Sequence, residues 1–333
     1  MACFEVTCRL FAIPRRQEPH SDLRTLQDKL MLPPELTDHI IGFVDKWDKK
    51  TLCNCTLVSR RWLPASRHAL FRYISVQNAT TLKLLIQRIL HSESAHHYLA
   101  GVHMFALTGS GCSKLFASAA NGGHVYHEER VAGVATSLQL AEIMGPESRL
   151  FLYHFSGHLP SIKTLSFSAL DWISYTAPMS SEPLLLSRFP SIKHLDFFGC
   201  NLPSFHFFRR AVTSLPHLEK LSCLNVIWPR PCTPAGSSST RTHIANSGPE
   251  LMYLEVAQST LAQPPYVPAT SLLCWLSHTR SRETLRELTM QLPQVVDSTG
   301  LLDSTVREFM EIVPNLRTLC VPIASMCLAS SGC

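Results

Sequence analysis

The chain has 333 residues, of which 17% are charged and 45% fall in the hydrophobic class, with a formal charge of +5. That apolar content excludes a wholly disordered chain, and the length predicts one small domain joined to a larger or repetitive one. Basic residues come in pairs, such as Arg15-Arg16, Lys49-Lys50, Arg60-Arg61 and Arg209-Arg210, without the stripe that nucleic-acid binding requires, so no nucleic acid is expected as a partner.

The first 29 residues are expected to be an extension. The opening MACFEVTCRLFAIPRR lacks a signal peptide's continuous apolar core, and Glu5 and Glu18 interrupt the acid-free composition of a transit peptide. The 12 cysteines are scattered singly and are expected to be reduced thiols. No run approaches the ~18 apolar residues of a membrane helix. These features predict a chain of the cytoplasm and/or nucleus with no membrane partner.

In LPPELTDHIIGFV, Pro33 and Pro34 mark a helix start, because proline is tolerated in the first turn where its missing donor would be unpaired. Leu36, Ile40 and Val44 then recur four residues apart, with Ile41 and Phe43 widening the apolar stripe. Asp48 offers an N-cap for a second helix, KKTLCNCTLVSRRW, whose Leu52, Cys55, Val58 and Trp62 repeat at helical steps. Pro64 is expected to kink or restart it.

The series Leu32-Pro33, Leu36, Ile40-Ile41, Leu52 and Leu57-Val58-Ser59-Arg60-Arg61-Trp62 resembles the F-box, over about residues 30–76. The family pattern is LPxEL, a following aliphatic pair, a leucine opening the second helix and a closing VSRRW-like run. WDKKT departs from the Asp-Pro turn that many members carry at this point, which leaves the length of the interhelix loop open. The resemblance implies a docking module for the SKP-type adaptor of an SCF cullin-RING ubiquitin ligase. Carried over by position, Leu32, Pro33, Leu36, Ile40, Ile41, Leu52, Leu57, Val58 and Trp62 become the adaptor interface or its supporting core.

After the box, FRYISV reads as a strand and TTLKLLIQRILHS as a helix with Leu82, Leu85, Ile86 and Ile89 on one face. From there one frame recurs: LPSIKTLSF, FPSIKHLDF, LPHLEKLSC, GPELMYLEV, ETLRELTM and VPNLRTLCV, with first leucine positions 26 to 34 residues apart. Ile192, Leu195, Phe197, Cys200 and Leu202 fill the leucine-rich-repeat template at every apolar position, and a proline precedes five of the six copies. Position eleven is apolar in all of them, as Trp172, Leu202, Trp228, Leu261, Val295 and Met326. Helical segments between copies, SFHFFRRAVTSL, SLLCWLSHT and STVREFMEIV, complete a strand–helix unit.

The fold expected is α/β: a small all-helical module over residues 30–76, an irregular leucine-rich-repeat-like solenoid with a curved parallel sheet over 77–326, and a tail at 327–333. Strand alternation turns Ser166, His194, Asp196, Phe198, Lys220, Ser222, Tyr253, Glu255, Glu287 and Thr289 toward the concave face, together with Thr164, Ser168, Leu224 and Ala257. That row is the candidate surface for an unknown protein target. WPRPCTPAGSSSTRTHIANSG and AQSTLAQPPYVPAT read as loops.

Signatures of catalysis are missing. GSGCSK lacks the spacing of a phosphate-binding loop, Cys53 and Cys55 have no second pair at zinc spacing, and no GxSxG elbow occurs. His124, His127 and Glu128 could seed a metal site, but without HExxH order they fit a polar loop better, so neither a metal nor a cofactor is expected. The reading is a non-enzymatic substrate-recognition subunit, whose overall layout resembles that of fungal F-box families. A non-proteolytic F-box scaffold and, further off, a metal-dependent hydrolase are the alternatives.

Overall fold

The computed structural model describes residues 33–93, 95–109, 151–173, 182–228, 248–257, 267–291 and 301–320. Three helices come first: α1 (Pro34–Phe43), α2 (Lys49–Val58) and α3 (Trp62–Arg72). Pro34 opens α1 as expected, since the first turn needs no donor from it. Asp48 caps α2 by accepting from the Thr51 amide at 3.0 Å.

The second helix differs from expectation at its end. The chain is extended at Ser59, so the helix stops at Val58 and Trp62 begins α3. The Ser59 hydroxyl accepts from the Trp62 amide at 3.3 Å, a local bond that competes with continuing the helix. Pro64 consequently falls in the first turn of α3, where it does no damage.

An eight-stranded parallel sheet follows, with strand order equal to chain order. Its strands are β1 (Tyr73–Val76), β2 (Met104–Thr108), β3 (Thr164–Ser168), β4 (His194–Phe198), β5 (Lys220–Leu224), β6 (Tyr253–Ala257), β7 (Glu287–Gln291) and β8 (Thr318–Cys320). The predicted frame is the pairing register: Leu165, Leu195, Leu221, Leu254, Leu288 and Leu319 lie side by side, and Phe167, Phe197, Cys223, Val256 and Met290 form the next inward row. All but Leu319, on the last described strand, are buried.

Parallel strands need crossovers, and among the described residues helices lie in them. The chief ones are α4 (Ala79–Leu85), α5 (Phe205–Thr213), α6 (Val267–Leu276) and α7 (Leu301–Ile312). Leu82, Leu85, Ile86 and Ile89 are all buried as predicted, although the chain widens into a π turn over Ile86–Leu90. Buried residues of the crossovers, such as Phe208, Val212, Leu272 and Phe309, join the strand leucines in one continuous core. Helix α6 begins at Val267, inside the segment expected to be a loop, and residues 229–247 lie outside those described.

Beyond β3, β4 and β5 the backbone turns a corner in the left-handed region: Ala169 has φ 50°, Gly199 59° and Asn225 54°. These corners sit on adjacent rungs, and each amide donates to the strand beside it, as in Gly199 N–H to Leu224 O at 2.7 Å. A Cβ at Gly109, the same point on the β2 rung, would lie 2.1 Å from the Ala169 carbonyl oxygen. Glycine is therefore required there.

Replacing Gly199 by Ala should cost about 1 kcal/mol, because an L side chain is strained at that φ, whereas Ala169→Gly should be neutral or stabilising by up to ~1 kcal/mol. Leu195→Ala, which opens a hole in the inward row, should cost about 2–5 kcal/mol. Urea unfolding midpoints of the three variants check this order.

Candidate functional site

Helices α1 and α2 each pack on α3 around a small core of Ile41, Leu52, Cys53 and Leu70, with Val44 and Trp62 half-buried against it. Helix α1 carries two parallel lines. Thr37, Ile41 and Val44 face inward, and Leu36, Ile40 and Phe43, each one residue earlier and so turned by about 100°, face out. Leu36 is 48% exposed, Ile40 39% and Phe43 78%. At the end of α2, Leu57 and Val58 are each 63% exposed. Six of the ten large apolar side chains exposed among the described residues thus fall between Leu36 and Val58.

Of the predicted adaptor-binding residues, Ile41 and Leu52 are internal core, Trp62 supports it, and Pro33, Leu36, Ile40, Leu57 and Val58 are open. Leu32 lies outside the described residues. Exposed Phe43 and Trp47 were missing from that prediction, although Phe43 is marked by its three-residue step from Ile40.

The three-helix module is fastened to the sheet at α3. The Lys49 ammonium donates to the carbonyl oxygens of Leu70 at 3.0 Å and Tyr73 at 2.8 Å, filling acceptors left open where α3 ends. Beside this joint a cleft of about 830 Å³ is lined by Phe43, Val44, Lys46, His68, Tyr73 and Tyr98, among others. The Lys46 ammonium lies 5.2 Å from the Tyr73 ring centre and 5.5 Å from that of Trp47.

On the open face of the sheet the predicted residues share a register. His194, Lys220, Tyr253 and Glu287 form one row across β4–β7, and Ser166, Asp196, Ser222, Glu255 and Thr289 the next. The Lys220 ammonium sits 4.1 Å from the Tyr253 ring centre, and the Ser222 hydroxyl donates to Glu255 Oε2 at 3.2 Å. Burial, opposed by a hydrogen bond with Thr289, holds the Tyr253 phenol above its ordinary pKa.

The face is less open than alternation predicts. Ser166, Ser168, Ser222, Leu224 and Ala257 are buried. For Ser166 and Ser222 the reason is shading, because longer carboxylate side chains stand on strands ~4.8 Å away. What remains accessible is Thr164, His194, Asp196, Phe198, Lys220, Tyr253, Glu255, Glu287 and Thr289.

A cluster absent from the predicted site joins two distant segments. The imidazoles of His96 and His158 meet Nε2 to Nδ1 at 3.0 Å, a contact whose accepting ring has to be neutral, and His91 and His154 lie edge to face at 6.4 Å. Burial, then the charges of His96 and His91, lower the His158 pKa. His194 is lowered as well, by burial and then Lys220. In the sequence only the four-residue step from His154 to His158 hints at such a cluster.

Thiol chemistry has no support at Cys223, whose pKa burial pushes well above its ordinary value, and Cys200 donates to the Phe167 carbonyl at 3.3 Å. Among the described residues no group of three His, Cys, Asp or Glu side chains is arranged to hold a metal ion. His124, His127 and Glu128 lie outside the described residues, as do Leu261, Val295 and Met326. No helix among the described residues is long and apolar enough to cross a membrane. No protein-family profile matches this chain, and no curated protein matches it.

A histidine whose folded pKa is depressed contributes stability that is present above its unfolded value and lost as pH falls through the folded one. His158 and His194 both have this sign, so the thermal midpoint should drop as pH falls below about 6.5. His158→Gln, which cannot titrate, should flatten that slope in melts recorded across the range.

Proposed function

We propose that this chain is an F-box-type substrate-recognition subunit of an SCF cullin-RING ubiquitin ligase. In this reading α1 and α2 dock on the SKP-type adaptor, and a leucine-rich-repeat-like solenoid, the region 77–326, holds the protein target. One observation carries the reading: a helix with its own small core at Ile41, Leu52 and Leu70 presents a second apolar line, Leu36, Ile40 and Phe43, to solvent. Apolar side chains that a small module leaves outside its core favour a partner surface. Two of the three, Leu36 and Ile40, are positions that the resemblance assigns to adaptor contact, and Phe43 extends the same line.

The subunit does no covalent chemistry in this scheme. It contributes proximity, converting ubiquitin transfer to the target into an effectively intramolecular event. The accessible sheet residues His194, Asp196, Phe198, Lys220, Tyr253 and Glu255 then form a mixed polar and aromatic target face. Buried Ser222 supports that face through its bond to Glu255.

Leu36→Asp combined with Ile40→Asp should weaken binding of the purified chain to a SKP-type adaptor by at least about tenfold, because apolar anchors at an interface each carry about 1–4 kcal/mol. Both positions are exposed in the free chain, so its helical circular dichroism should be retained. Calorimetric titration with the adaptor reads the loss; unchanged affinity would remove the adaptor role.

A further inference from the structure

At the end of the sheet where β4–β8 begin, a cleft of about 530 Å³ has charged residues as half of its lining, with Met252 half-buried among them. The residue before each strand forms a ladder of its own: Lys163, Lys193, Glu219, Met252, Arg286 and Arg317. Its rungs are tied by amide-to-carbonyl bonds such as Arg286 N–H to Met252 O at 2.9 Å and Arg317 N–H to Arg286 O at 2.8 Å. Adjacent rungs are therefore ~4.8 Å apart.

The lining carries three cations, Lys193, Arg286 and Arg317, against three carboxylates, and cationic charge is left over once Arg280 and Arg282, just outside the cleft, are counted. Each of its three carboxylates is already matched: Glu219 by Lys193, Glu250 by Arg280 at 2.8 Å and Glu283 by Arg282 at 3.2 Å. Arg286 and Arg317 are exposed and have no ion-pair partner among the described residues. Like charges on neighbouring strands are unfavourable, and an anion between them offsets the repulsion.

We propose that this cleft binds an acidic, extended peptide segment of the target, with two carboxylates on Arg286 and Arg317. An extended chain presents every second side chain on one face, ~6.8 Å apart, a spacing that long guanidinium side chains on adjacent rungs can span. The cleft crosses five rungs, from Lys193 to Arg317, ~19 Å, more than a single small anion fills. Three carboxylates along the same edge disfavour a phosphodiester backbone, which carries a charge at every unit and needs an uninterrupted basic track, whereas a peptide can set uncharged residues against them. The proposal deepens the target-binding half of the reading above and rests on it only for naming the ligand a target. Direct binding to the chain without adaptor separates the two.

The probe is a fluorescein-labelled decapeptide alternating Glu and Gly, titrated into the full chain and followed by anisotropy, beside a Gln-Gly counterpart. The expected result is saturable, salt-sensitive binding of the Glu peptide alone. It should weaken by at least about tenfold in Arg286→Glu/Arg317→Glu and stay unchanged in Arg88→Glu, an exposed arginine on the π turn. Arg286→Gln/Arg317→Gln, which removes charge without reversing it, should show the same loss if the reversed variant folds poorly. Adaptor binding should be unaffected by these changes. Absence of saturable binding at millimolar peptide, equal loss in Arg88→Glu, or displacement of the peptide by an equal concentration of inorganic phosphate would overturn the proposal.

Discussion

In-register parallel pairing is the constraint on which the larger part of this protein depends. Because side chains alternate across a strand, a slip of one residue in any pair would turn that strand's leucine from the core to solvent. Pairing Leu165 with Leu195 and on through Leu221, Leu254 and Leu288 keeps every inward position in one continuous row. The crossover helices then have a single apolar floor to cover, and Phe208, Val212, Leu272 and Phe309 cover it. The left-handed corners at Ala169, Gly199 and Asn225 follow from the same register, since each strand must leave the sheet at the same height.

The helical module is tied to that sheet through two consecutive residues. Leu70 belongs to the small core with Ile41 and Leu52, whereas Phe71 belongs to the large one and stacks on Tyr98 at 5.3 Å. Helix α3 therefore serves both cores, and Lys49 closes its last turn against β1. With α3 taking the inward faces of α1 and α2, the outward line of Leu36, Ile40 and Phe43 has no role in either core. That surplus is what makes an interaction role the economical explanation of this module.

The sequence made the sheet legible because one frame repeats, so a chance match in one copy is corrected by the others. The leading prolines mark where five of the eight strands are about to begin, and Leu82, Leu85, Ile86 and Ile89 fell on the buried face at helical spacing. The stop at Ser59 was hidden, because Leu52, Cys55, Val58 and Trp62 satisfy a helical period whether or not the backbone breaks between them. Burial on the sheet face was also hidden: alternation says that Ser222 points outward, but shading by its neighbours depends on which residues stand on the adjacent strands. The charge imbalance at Arg286 and Arg317 emerges only when the ladder sets residues thirty positions apart side by side.

The surface left over by both cores is where the functional account stands or falls. Hydrogen–deuterium exchange of the full chain, with and without a SKP-type adaptor, tests it most directly. The account predicts new protection confined to the segment from Pro34 to Val58, with the strands from β2 to β8 unchanged. Protection that leaves α1 and α2 untouched, or that falls on the sheet, would contradict it.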